Sequence, residues 1–172
     1  DLHGNTAHYE ELFSIAIAQQ ASCIIIGGDL FPGDKSLNLI LEVQRRFLVD
    51  SLRPILESFR ESHPEKTIYL MMGNDDFADN MGLLEQMESE GLLKLLHLRT
   101  HTIDEDLSLA GYGCVPPTPF MLKDWERLDV DRSMVPDHSY QAYCSGHDGV
   151  EPVDAREWFL THETIEEELG KL

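Results

Sequence analysis

Three short acidic motifs follow one another along this chain: Asp1-Leu2-His3, Gly28-Asp29 and Gly73-Asn74-Asp75-Asp76. Their side chains are hard oxygen donors and an imidazole. Such donors suit Mn²⁺, Fe²⁺, Zn²⁺ or Mg²⁺ rather than soft thiolate chemistry. Asp1 and His3 are two residues apart, so at a strand end they point to one side and can share a cation. Asp29 follows Gly27-Gly28, which permits a sharp turn, and its two oxygens can bridge two metals. Asn74 adds a neutral amide oxygen where more negative charge is unwanted. Two divalent cations, Mn²⁺ favoured, would make water a nucleophile near neutral pH and neutralise the oxygens of a phosphate ester. Without them this acidic pocket would repel a phosphate. The chemistry thus predicted is hydrolysis of a small phosphorylated substrate.

The elements between the motifs must bring them together. Tyr9, Leu12, Phe13, Ala16 and Ile17 recur at helical spacing and predict a helix over about 6–20. Cys23-Ile24-Ile25-Ile26 reads as a buried parallel strand that stops at Gly27-Gly28-Asp29. A long helical pattern from about Leu37 to Phe59 follows, with Pro54 expected to kink or split it. Thr67 to Met72 is the next strand and stops at Gly73, with Met71 and Met72 read as core filling. This order of helix, strand, helix, strand is βαβ logic and implies a parallel sheet. Ligands of open parallel sheets bind beyond the carboxyl ends of the strands, where these motifs fall. Farther on, 83–90 reads as a helix and 92–98 and 107–114 as strands in a hairpin or at a sheet edge. The Pro-rich stretch from Pro116 to about Pro152 reads as irregular, and 154–169 as one amphipathic helix.

The bulk properties narrow the partners. The chain has 172 residues, enough for one domain, with 32 acidic against 13 basic residues and a net charge of −19. Such a surface disfavours nucleic acid and anionic lipid. No apolar run reaches the roughly 18 residues of a membrane span, and no signal peptide is visible. Cys23, Cys114 and Cys144 form no CxxC pair, which favours a reducing cytoplasm; Cys23 is expected to be a buried thiol. Oligomeric state is left open. The chain opens on Asp1 with no strand before it, and 163–172 reads as a helix with no strand after it. The reading is therefore a single domain over 1–172, truncated at both ends.

The order Asp1-x-His3, Gly28-Asp29, Gly73-Asn74-x-Asp76 resembles the calcineurin-like metallophosphoesterase superfamily, whose pattern is Asp-x-His, Gly-Asp, then Gly-Asn-His-Asp or Glu. The match is carried by residues 1–76. The resemblance implies an α/β fold of mostly parallel β-sheets in a sandwich flanked by helices, four layers in all. It implies that Asp1 and His3 hold the first metal, that Asp29 bridges, and that Asn74 holds the second. The family's His after Asn is Asp75 here, in the position of the general acid. Bound cations oppose a protonated carboxyl, so activated leaving groups, in diesters or aryl phosphates, suit this chain better than unactivated monoesters. The family's later His ligands are not evident: Gly146-His147-Asp148 lacks the second His, and His162 falls on a helix.

Other readings compete at single positions. Asp76 is expected to buttress its loop or a ligating His. Asp34 reads as a loop cap, His8 as a surface or packing residue, and 116–125 as a surface loop that could border the substrate. A haloacid-dehalogenase-type phosphatase needs Asp-x-Asp, and His3 excludes it. The alternative class is a binding or regulatory protein that keeps the fold without turnover.

Overall fold

In the computed structural model, residues 1–33, 37–137, 141–146 and 149–172 are described. Tyr9, Phe13 and Ala16 put one apolar stripe on α1 (Thr6–Ala18), and the Asn5 side chain caps it by accepting from the Ala7 amide at 3.1 Å. The β-branched run forms β1 (Cys23–Ile26). Ile24 and Ile26 are buried, but Ile25 is 52% exposed, because β1 lies at the edge of its sheet. The expected fully buried strand is thus buried on one face only. Cys23 is half-buried, and Cys114 is the buried thiol.

The long helical pattern resolves into α2 (Leu37–Phe47), a π-helical turn (Leu48–Leu52) and α3 (Arg53–Ser62). The pattern divides at the π turn just before Pro54, as expected, and Pro54 occupies the first turn of α3, where its missing N–H costs little. Leu48, Leu52 and Leu56 are fully buried and pack against the sheet with Phe13 and Phe59, whose rings stack 4.4 Å apart. Strand β2 (Thr67–Leu70) pairs parallel with β1, in register Cys23 with Thr67 through Ile26 with Leu70. After α4 (Met81–Ser89), the two-residue β3 (Lys94–Leu95) joins β2 in parallel, giving the order β1-β2-β3.

Beyond this sheet the reading needs correction. The 92–98 run supplies the edge strand β3, one of the two placements expected for it, and 107–114 supplies β5 (Ser108–Gly111), whose hairpin partner is instead β4 (Arg99–Thr102). The stretch read as irregular contains a second antiparallel hairpin, β6 (Ala142–Gly146) with β7 (Gly149–Val153). The final helix is two, α5 (Ala155–Thr161) and α6 (Ile165–Leu169), because Thr164 and Glu167 form a capping box that starts a new helix. Leu160 and Leu169, apolar positions of that stretch, are exposed. The chain is mixed α/β, and among the described residues only the three-stranded sheet is parallel. Among the described residues, no helix is long and apolar enough to cross a membrane.

Candidate metal centre

Both sharp turns of the centre leave the carboxyl ends of neighbouring parallel strands. After β1 the backbone enters the left-handed region at Gly28 (φ 120°) and Asp29 (φ 50°). After β2 it turns through Gly73-Asn74-Asp75-Asp76, and the Asp76 amide closes the turn on the Gly73 carbonyl at 3.1 Å. The turns touch. A Cβ on Gly73 would stand 2.3 Å from Asp29 Oδ1, so only glycine lets that carboxylate lean across.

Residues 1–4 are fastened to the first turn. The Leu2 and His3 amides donate to the Asp29 carbonyl at 3.0 and 2.9 Å, and the Gly4 amide donates to the Leu30 carbonyl at 2.9 Å. His3 is itself left-handed, at φ 44°. The expected convergence of Asp1 and His3 is therefore made by a turn and not by strand alternation. One ligand atom from each of Asp1, His3 and Asp29 lies within 4.8 Å of the others. Two carboxylates and an imidazole at that spacing fit a divalent cation of borderline or hard character.

Asn74 lines the same cavity, about 190 Å³, with Asp1, Asp29, Gly28 and Gly73. Its amide nitrogen donates to Asp75 Oδ1 at 3.3 Å, which leaves the amide oxygen for a cation. The Asp75 amide donates to Asp29 Oδ1 at 3.3 Å. Asp75 is an exposed residue, yet desolvation of its carboxyl on the turn side raises its pKa. Asp29 adds to the rise and His3 opposes it.

Asp76 is completely buried and holds the two turns together. Its carboxylate accepts from the Leu30 amide (2.9 Å), the Phe31 amide (2.9 Å) and the Gly73 amide (2.8 Å). Burial pushes it up to about 6, against the pull of those amides. This is the buttress expected of Asp76, applied to the backbone of both turns and not to a ligating His. Two further clamps assist: Tyr9 Oη donates to the Leu30 carbonyl at 2.8 Å, and Trp125 Nε1 donates to the Asp76 carbonyl at 2.7 Å. Gln44, on α2, donates to the Asp75 carbonyl at 3.0 Å and accepts from the Phe77 amide at 2.9 Å.

The opposite wall of the cavity escaped the sequence reading. It is the segment Tyr112-Gly113-Cys114-Val115 that leaves β5, with Met71, which is half-buried against it rather than filling the core. Tyr112 Oη donates to Glu168 Oε2 at 2.6 Å, and the Gly113 amide donates to His97 Nδ1 at 3.0 Å. The only hint in the sequence was the spacing of Gly111 and Gly113 at a strand end. Of the 116–125 stretch, none borders the cavity; Trp125 acts from behind. His8 is on the surface, its ring near the Asn5 amide at 3.2 Å. His162 lies outside the cavity, its Nδ1 2.7 Å from the Trp158 carbonyl. Asp34, His147 and Asp148 lie outside the described residues.

A larger cavity, about 770 Å³, lies beside β6, β7 and α5. Its charged lining, Asp137, Asp154 and Arg156, gathers no metal-ligating cluster among the described residues. No protein-family model matches the chain, and no curated protein matches it.

Proposed function

We propose that the chain hydrolyses a phosphate ester with water activated at a pair of divalent cations, on the four-layer α-β-β-α sandwich of the calcineurin-like metallophosphoesterases. The observation that carries this reading is the meeting of Asp1, His3 and Asp29, donors from two separate stretches of sequence, within 4.8 Å. Asn74 borders the same cavity.

In this reading Asp1 and His3 hold one cation, Asp29 bridges to the second, and Asn74 holds the second with its amide oxygen. The cations, Mn²⁺ favoured, supply an ionised water and offset the charge of the phosphate. The protein's own part is positioning. Asp76 fixes Asp29 and Asn74 by gripping the backbone of both turns, and Gly73 gives Asp29 its space. Asp75 would take the place of the family's acid, where cations beside its carboxylate would make it a poor proton donor. Diesters or activated monoesters of small molecules are therefore the favoured substrates, in a cytoplasmic setting.

The test is paired. Wild-type protein and Asp29→Ala are compared for bound metal by elemental analysis and for turnover of bis-p-nitrophenyl phosphate and p-nitrophenyl phosphate with added Mn²⁺. Asp29→Ala is expected to lose metal and activity together, by more than the roughly 10–100-fold cost of losing a ligand's supporting partner. Turnover unchanged by Asp29→Ala would defeat the assignment. The second reading, a binding or regulatory protein on the same fold, is favoured by Asp75 standing where the family has His. It predicts Asp29-dependent metal binding with no hydrolysis of either ester.

A further inference from the structure

Cations are scarce in this chain, and carboxylates claim most of them. Of the twelve described Lys and Arg, eight lie within ion-pair distance of an Asp or Glu. Among the described residues Arg60, Lys66, Lys94 and Arg156 have no such carboxylate. Three of these four gather at one place, the amino-terminal ends of β2 and β3. Arg60 and Lys94 line a cavity of about 390 Å³ there, together with Thr67, Gly91, Leu92 and His101. Lys66 stands just before Thr67, its ammonium turned to the Ala21 carbonyl at 2.5 Å.

The lining also contains Glu88, but that carboxylate is already engaged. It accepts from the Leu95 amide at 2.8 Å and pairs with Arg99, which offsets its charge. Arg60 uses Nη1 on the Lys66 and His63 carbonyls, and its remaining N–H groups make no bond to a described residue. Among the described residues the Lys94 ammonium faces the Tyr69 ring, 5.7 Å from the centroid, and no carboxylate. An unpaired guanidinium and an unpaired ammonium on one cavity match a dianionic phosphate, which offers oxygens to both. In a chain of net charge −19, two unneutralised cations beside one cavity stand against the general field.

We propose that this cavity binds the phosphate group of a small phosphorylated molecule. The volume exceeds what a bare phosphate fills, and Ile68, Leu92 and Leu93 give it an apolar side for the rest of the ligand. The site is separate from the metal centre. The two cavities share no lining residue, one meeting β2 at its first residue, Thr67, and the other lying past its last, Leu70, at Met71 and Gly73. The proposal therefore stands whether or not the phosphoesterase reading does.

The experiment uses the whole chain, freed of metal with EDTA, and two probes, inorganic phosphate and glucose 6-phosphate, at low ionic strength. Backbone amide shifts are expected to move saturably at Thr67 and Gly91 to Lys94, and not at Gly28 or Gly73. Lys94→Gln, which loses only an exposed side chain, should weaken binding about tenfold. Arg60→Gln should do the same if its thermal midpoint shows that it folds. Asp29→Ala should bind both probes like wild type. Glucose 6-phosphate binding more tightly than inorganic phosphate supports a phosphorylated compound as the ligand; equal or weaker binding would overturn that assignment. Shifts centred on Gly28 and Gly73, no saturable shifts at millimolar probe, or unchanged binding by Lys94→Gln would overturn it.

Discussion

The parallel-sheet half of the molecule and the segment from Val115 to Val153 differ in what their buried groups are. In the first, Tyr9, Leu48, Leu52, Leu56, Leu70 and Met72 are fully buried in one continuous apolar core. In the second, the fully buried groups include a charged pair. Lys123 is 0% exposed and Glu126 1%, with Nζ 2.8 Å from Oε2. Glu126 also accepts from the Thr118 amide at 3.1 Å, and Lys123 donates to the Thr118 and Phe120 carbonyls. Buried Asp124 takes the Ala78 amide (2.9 Å) and the Ser145 amide (2.8 Å). The difference has a physical source. The 116–126 stretch holds three prolines and no regular element, so its backbone groups cannot bond one another in a ladder. Charged side chains bring the missing partners inside. Among the described residues the parallel-sheet half buries single polar groups, Gln44, Asp76 and Asn80, in its apolar core, whereas the second segment buries an ion pair beside Leu128 and Ala142.

That contrast can be broken most sharply at Lys123. Lys123→Met leaves Glu126 buried without its cation and should cost about 3–5 kcal/mol, read by urea denaturation. Lys123→Met with Glu126→Leu should recover much of that loss. A single variant as stable as wild type would show that the pair is not what holds the segment. The corresponding change in the apolar half is Leu56→Ala, expected to cost about 2–5 kcal/mol through a cavity, with no partner change that restores it. A cost below about 1 kcal/mol would mean that the helices close over the gap.

The smallest effect concerns the joint between the two halves. His97 packs its ring edge on Trp125 at 5.0 Å and accepts the Gly113 amide at Nδ1. Burial, the largest cause, lowers its pKa from the ordinary 6.5. A histidine with a depressed folded-state pKa binds fewer protons folded than unfolded. Its contribution is present above 6.5 and is lost as pH falls through the lowered value. His97→Asn keeps an acceptor for Gly113 without titrating. Between pH 7.5 and 5 the wild type should lose about 1 kcal/mol more than this variant, about one hydrogen bond. Equal losses in thermal melts across that range would remove His97 as the source.

Much of the centre was legible from local sequence. Glycine after a β-branched run, followed by Asp or Asn, marks a turn at a strand end wherever it occurs, and the βαβ order puts such ends on one edge. The roles of Asp76 and the Tyr112 to Val115 wall were less legible, for different reasons. Asp76 could be read as a buttress, but the amides it grips at Leu30 and Phe31 are more than forty residues away. The wall arrives only after an antiparallel hairpin whose first strand, Arg99-Thr100-His101-Thr102, carries no apolar alternation. The β6–β7 hairpin escaped notice likewise, since its strands begin or end on glycine and one contains Pro152.

The sequence by itself determined which donors exist, their order, and the helices and parallel strands between them, because periodicity and turn chemistry act over a few residues. Tertiary structure alone decided that Asp1 and His3 meet Asp29 through left-handed turns. It also decided that Lys123 and Glu126 are buried together and that unpaired cations gather at the far end of the strands. Those outcomes depend on which groups lose water together, a property of the folded surroundings that no short stretch of chain encodes.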